Sequence, residues 1–231
     1  METPIAVHSL STIGIVEAYL KDRSKLYDLL RSEGKAAEVA PKFLTLSLLG
    51  FTLFGALFAT IFSFTNASVP WLPRVAWADG SAFSLIAAYD FGLIAASGVC
   101  LPCFYFFGLL AGLRAGVLRI VLVVLEGLAA TSIVLVGLLP PYFAIALGLV
   151  VLHAGATAIK AAFIVGLLLP FVAGLGGIRT IRSGLGTLSD TFREDRRAAR
   201  TCFMNRLVTA WALLYTVVTP VMIHALWRHF A

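Results

Sequence analysis

Residues 117–139 read VLRIVLVVLEGLAATSIVLVGLL, and Pro140-Pro141 follows. Beyond Arg119 a single charged residue, Glu126, interrupts the apolar run. About 20 predominantly apolar residues suffice to cross the hydrocarbon core of a bilayer. A spanning backbone finds no water to pair with, so it must be helical or part of a closed barrel, and barrel strands alternate over only about 10 residues. The stretch is therefore read as a membrane helix. The proline pair lacks both amide donors, which predicts a sharp stop at its end.

The rest of the chain agrees with this reading. Of its 231 residues 60% are hydrophobic and only 13% are charged, and the mean hydropathy is +0.94. A soluble domain carries roughly a quarter charged residues. Such a composition argues against a soluble enzyme, a disordered chain, a disulfide-rich secreted module and a nucleic-acid-binding domain, despite the net charge of +6. The expected fold is all-α: a polytopic integral membrane helix bundle of five transmembrane helices plus an N-terminal amphipathic cytoplasmic helix.

Working outward, spans are expected at about 43–64, 83–113, 117–139, 157–177 and 207–227. They form a domain over 43–231, preceded by a cytoplasmic segment, 1–42. The apolar run from Tyr142 to Gly177 is too long for one straight span. It is split at His153-Ala-Gly-Ala-Thr157, which leaves 142–152 as an interfacial or re-entrant piece. A six-span count is the alternative.

Orientation follows from the basic residues, because cytoplasmic flanks keep an excess of them. One side holds 15 of the 18 lysines and arginines, and the other holds Arg74, Lys160 and Arg228. The N-terminus is thus expected in the cytoplasm and the C-terminus outside, with a basic cytoplasmic loop over 178–206. Met1-Glu-Thr-Pro4 has no positive region or apolar core of a signal peptide, so no processing is expected. Asn66-Ala-Ser68 fits a glycosylation sequon too short to carry weight.

From Ile13 to Ser32 apolar residues such as Val16, Tyr19, Leu20 and Leu30 oppose Lys21, Asp22, Lys25 and Arg31. This amphipathic helix either lies on the inner leaflet and docks a partner or folds against its own bundle. Arg193, Arg196, Arg197 and Arg200 share a helical face in the basic loop. They form a candidate face for anionic lipid headgroups or a partner, with an ordinary positive-inside loop as the plainer reading.

Within the spans, Gly108, Gly112 and Gly116 recur at every fourth position and predict a helix-packing face. Cys100-Leu-Pro-Cys103 has redox spacing, but its membrane depth favours small residues flanking a proline kink. Ionisable residues inside spans are costly and therefore candidate sites. Asp90 and Lys160 are both expected in the outer third, where they would form an ion pair. Glu126 is expected at mid-span, either hydrogen-bonded to a hydroxyl such as Tyr215 or Thr219 or on an ion pathway. No catalytic, cofactor or metal set is read.

The order of parts resembles the Yip-domain (Ypt/Rab-interacting) family, particularly its bacterial five-span members of unknown function. The likeness is carried by Cys100-Leu-Pro-Cys-Phe-Tyr105, Leu20-Lys-Asp-Arg-Ser-Lys-Leu26 and Trp211-Ala-Leu-Leu-Tyr215 through Met222 and Trp227. It implies a non-enzymatic scaffold or adaptor in a bacterial plasma membrane, partnered by the bilayer and by other membrane proteins or further copies of itself. A small oligomeric channel or transporter with Glu126 on its pathway is the alternative; the odd span count speaks against an inverted repeat.

Overall fold

The structure, a computed structural model, describes residues 12–21, 33–65, 75–110, 116–189 and 197–230. Six helices occupy almost all of them: α1 (Thr12–Lys21), α2 (Glu33–Thr65), α3 (Ser81–Leu110), α4 (Val117–Val151), α5 (Ala156–Ser189) and α6 (Arg197–Phe230). Among the described residues there is no strand. Among the described residues, helices α2 to α6 are the five that are long and apolar enough to cross a membrane, in agreement with the expected count of five.

The quoted stretch opens the innermost helix. In α4, 67% of the apolar window is buried inside the bundle, against 22% in α6. Helix α4 packs along α2 on one side and α5 on the other; α2 continues onto α3, and α3 onto α6. The ring closes between α5 and α6, its loosest joint.

The expected stop at Pro140-Pro141 does not occur, since α4 runs through both to Val151. Proline's fixed φ is already helical, and what it removes is a donor to the carbonyl four residues back. Membrane helices tolerate that loss, and the continuation is held by packing. Tyr142 and Ala146 are buried in the core with Phe58 and Phe163, while Pro140 and Pro141 face outward. Residues 142–151 are thus not a separate piece but the last turns of a helix of 35 residues, about 52 Å long at 1.5 Å per residue, with Leu152 just beyond it.

The break at His153 is where expected, and its geometry is specific. Ala154 N donates to Leu149 O at 2.9 Å and His153 N to Val150 O at 3.1 Å. His153 sits between them at φ 49°. This is the paired C-terminal motif that usually places glycine at the left-handed position.

Other boundaries also move. Helix α2 begins ten residues before position 43 and passes through Pro41, α3 is described as far as Leu110, α5 continues past 177 to Ser189, and α6 is described from Arg197. Much of the expected 178–206 loop is therefore helical. Helix α1 folds against its own bundle: Ile15 and Tyr19 are buried with Phe43, Leu122 and Ala130. The Tyr19 hydroxyl is 3.0 Å from Thr180 Oγ1 of α5. The remainder of the expected amphipathic stretch, 22–32, and the Asn66 sequon lie outside the described residues.

Glycines set close approaches between helices among the described residues. Gly108 is buried opposite Ile120, Gly116 is exposed beyond the end of α3 and precedes α4, and Gly112 lies outside the described residues. The tight crossings are elsewhere. A Cβ on Gly177 would lie 2.6 Å from Gly127 O, one on Gly50 2.7 Å from Ser132 Cβ, and one on Gly92 2.6 Å from Ile223 Cγ1.

Substituting Gly177 by valine sets a side chain against backbone that cannot retreat. We expect a loss of about 1–3 kcal/mol, read as earlier unfolding in a denaturing-detergent titration. His153→Gly removes a left-handed penalty, partly offset by glycine's own chain entropy, and is expected to raise stability by up to about 1 kcal/mol in the same titration.

Candidate functional site

Asp90 points inward from α3 and is buried. Its Oδ2 accepts a short hydrogen bond from Thr52 Oγ1 of α2, and its Oδ1 has no hydrogen-bond partner among the described residues. The expected ion pair with Lys160 is not formed. Lys160 is exposed on the second turn of α5, and α5 packs chiefly on α4 whereas α3 packs on α6 and α2. The two residues stand on helices that are not principal neighbours, which spacing along the chain does not reveal.

Glu126 is among the most deeply buried side chains, 1% exposed. Because α4 extends to Val151, Glu126 lies in the third of the helix nearest the basic end rather than at its middle. It occupies the stripe between Leu122 and Ala130, which α1 covers, and faces Gly184 of α5, where a Cβ would lie 3.7 Å from its Oε2. The hydroxyls expected to meet it are engaged elsewhere. Tyr215 donates to Leu93 O at 3.2 Å, and Thr219 donates to Tyr215 O at 2.7 Å.

Cys100 and Cys103 are free thiols on different faces, the first buried against Phe104 and Ile120, the second exposed. In the basic region Arg197 and Arg200 lie on the first turns of α6, while Arg193 and Arg196 lie outside the described residues. Outside the spans, Lys21 Nζ and Glu17 Oε1 are 2.7 Å apart on the exposed face of α1. The hydrogen bond and charge from Lys21 hold the Glu17 carboxyl below its usual range. Before α3, Asp79 Oδ1 accepts from Ser81 N at 2.9 Å and Ser81 Oγ at 2.6 Å, which lowers its carboxyl similarly.

The loose joint between α5 and α6 contains a cleft of about 90 Å³. Pro170, Phe171 and Gly174 of α5 face Trp211 and Tyr215 of α6 across it, and Gly127 and Thr131 of α4 form part of its floor. Trp211 stacks on Tyr215 with ring centroids 5.4 Å apart. Its buried indole N–H has no acceptor among the described residues. Neither Asp90 nor Glu126 is among the residues lining this cleft. Toward the basic end, Arg182 Nη2 donates to Thr209 Oγ1 at 2.8 Å, linking α5 to α6.

Of the candidate polar residues read from the sequence, Tyr215 reaches the cleft, and Trp211, quoted there only for the family likeness, lines it as well. Thr52, Thr180 and Arg182 were missed as partners. A hydroxyl or an indole in an apolar run carries no sign of which helix it will meet.

These elements define an all-helical bundle of five helices able to cross a membrane. No protein-family model matches the chain, and neither a curated protein nor a solved structure matches it.

A double-mutant cycle distinguishes the two partners considered for Asp90. Thr52→Val with Asp90→Asn is expected to show a coupling of about 0.6–1.7 kcal/mol, the range for hydrogen bonds between membrane helices. Lys160→Ala with Asp90→Asn should be additive within about 0.5 kcal/mol, both measured by detergent unfolding.

Proposed function

We propose that this chain is a non-enzymatic integral membrane protein, a scaffold, adaptor or subunit of a larger membrane complex, residing in a bacterial plasma membrane with its N-terminus cytoplasmic and its C-terminus external. The supporting observation is the use made of polar groups within the spans. Thr52 is joined to Asp90, Tyr142 to Ala162 O, Tyr215 to Leu93 O and Ser132 to Leu46 O, each across a boundary between helices. In hydrocarbon such bonds fasten neighbouring spans. Polar residues employed as fasteners suit a protein whose task is to hold a shape and present surfaces. The resemblance to Yip-domain proteins belongs to this proposal, as does the basic region around Arg193, Arg196, Arg197 and Arg200 as a face for a partner or anionic lipid.

A second reading rests on the burial of two carboxyl groups, Asp90 and Glu126, inside an apolar bundle. Intramembrane acids are costly and frequently mark ion or proton pathways. A small oligomeric channel or transporter would use Glu126 in this way.

Purification in native nanodiscs, followed by proton and ion flux in liposomes, separates the two. The scaffold reading expects stoichiometric companion proteins and no flux from either wild type or Glu126→Gln. A homo-oligomer whose flux disappears in Glu126→Gln would overturn it in favour of the pathway.

A further inference from the structure

The α5–α6 cleft has the form of a site for part of a lipid. Its walls are apolar and lie along the middle turns of two helices that are themselves long and apolar enough to span. Its rim residues Leu175 and Thr216 are exposed, so the slot opens sideways, toward the bilayer. Between Phe171 and Arg182 α5 advances about 16 Å at 1.5 Å per residue, the scale of one acyl chain.

The end of the slot is cationic. Arg182 and Thr209 lie about one helical turn beyond the lining residues Ile178 and Ala212, toward the basic end, and their 2.8 Å bond places the guanidinium on the seam itself. Arg179 and Arg206 are exposed on flanking turns. The two ion pairs among the described residues, Lys21 with Glu17 and Lys42 with Glu38, involve none of these arginines. An apolar slot that ends in cations without an ion-pair partner among the described residues is complementary to one class of molecule. It needs an apolar chain carrying a negative head.

We propose that the cleft binds an anionic phospholipid from the leaflet at the basic end. One acyl chain lies between Phe171 and Gly174 on one side and Trp211 and Tyr215 on the other, with the phosphate at Arg182, Arg179 and Arg206. A zwitterionic lipid fills the slot equally well but leaves the arginine charge uncompensated, so selectivity resides at the mouth. The site is distinct from the Arg193–Arg200 face and stands independently of the scaffold reading.

The probe is Trp211 itself. A variant carrying Trp71→Phe, Trp77→Phe and Trp227→Phe leaves it as the sole tryptophan. The protein is placed in phosphatidylcholine liposomes containing brominated phosphatidylglycerol or, separately, brominated phosphatidylcholine. Quenching by the anionic lipid is expected at a lower mole fraction, and Arg182→Gln should reduce that preference about fivefold, the effect of one basic residue near the surface.

Gly174→Leu tests the slot directly, because a Cβ on Gly174 meets nothing within 4 Å and the side chain grows into the cleft. It should abolish the preference without altering detergent unfolding. Gly98→Leu, equally open but on the exposed face of α3, should leave the preference intact. Equal quenching by both lipids, or a preference that survives Gly174→Leu, overturns the proposal. So does shielding of Trp211 from both lipids, the result expected if a second copy or another protein covers the seam. Should the triple substitution fail to fold, native mass spectrometry of the wild type and Gly174→Leu decides. A phosphatidylglycerol adduct retained only by the wild type is expected, and equal adducts overturn the site.

Discussion

The crossing of α4 and α5 at Gly127 and Gly177 is the constraint on which the bundle depends. Neither residue has a side chain, and the backbones approach until a Cβ on one would meet the carbonyl oxygen of the other at 2.6 Å. Between membrane helices there is little hydrophobic drive, because lipid tails are as apolar as leucine, so close van der Waals contact carries the association. The crossing brings Thr131, Gly127 and Val124 of α4 beside α5, where they form the floor of the cleft. It also brings Gly184 to Glu126, so a carboxylic acid in the central helix is enclosed by the same contact.

From this joint the remaining architecture follows unevenly. The Gly50–Ser132 and Gly92–Ile223 contacts repeat the device on the α2–α4 and α3–α6 pairs. The Thr52–Asp90, Tyr142–Ala162 and Tyr215–Leu93 bonds add polar fasteners between helices. Among the described residues the α5–α6 pair is joined by the Arg182–Thr209 bond near one end and stays open above it. A bundle closed by glycine contacts on most of its joints, and by a surface arginine on the last, leaves a lateral slot beside its concentration of positive charge.

The Pro140-Pro141 reading shows why helix ends were harder to read than helix existence. The Pro140-Pro141 pair suggested a stop from local chemistry alone, whereas buried Tyr142 and Ala146 give the following turns a reason to remain helical. Pro41 lies inside α2 in the same way. At His153 the local signal and the packing agree, since the Schellman-type hydrogen bonds end α4 beside a run of small residues. Local chemistry is decisive where nothing else holds the chain and yields where a buried face does.

Hydropathy by itself determined that the chain forms five long apolar helices, because apolar length is a property of a continuous segment. It also marked Asp90, Glu126 and Lys160 as ionisable groups among apolar neighbours. The tertiary structure alone decided what each of them meets. Asp90 finds Thr52 rather than Lys160, Tyr215 finds a backbone carbonyl rather than Glu126, and Gly177 meets the backbone of Gly127. Neighbours across a bundle depend on which helices stand side by side and how each is rotated about its axis. Those quantities are set by the sum of many small packing contacts between distant segments, and no window of the sequence contains them.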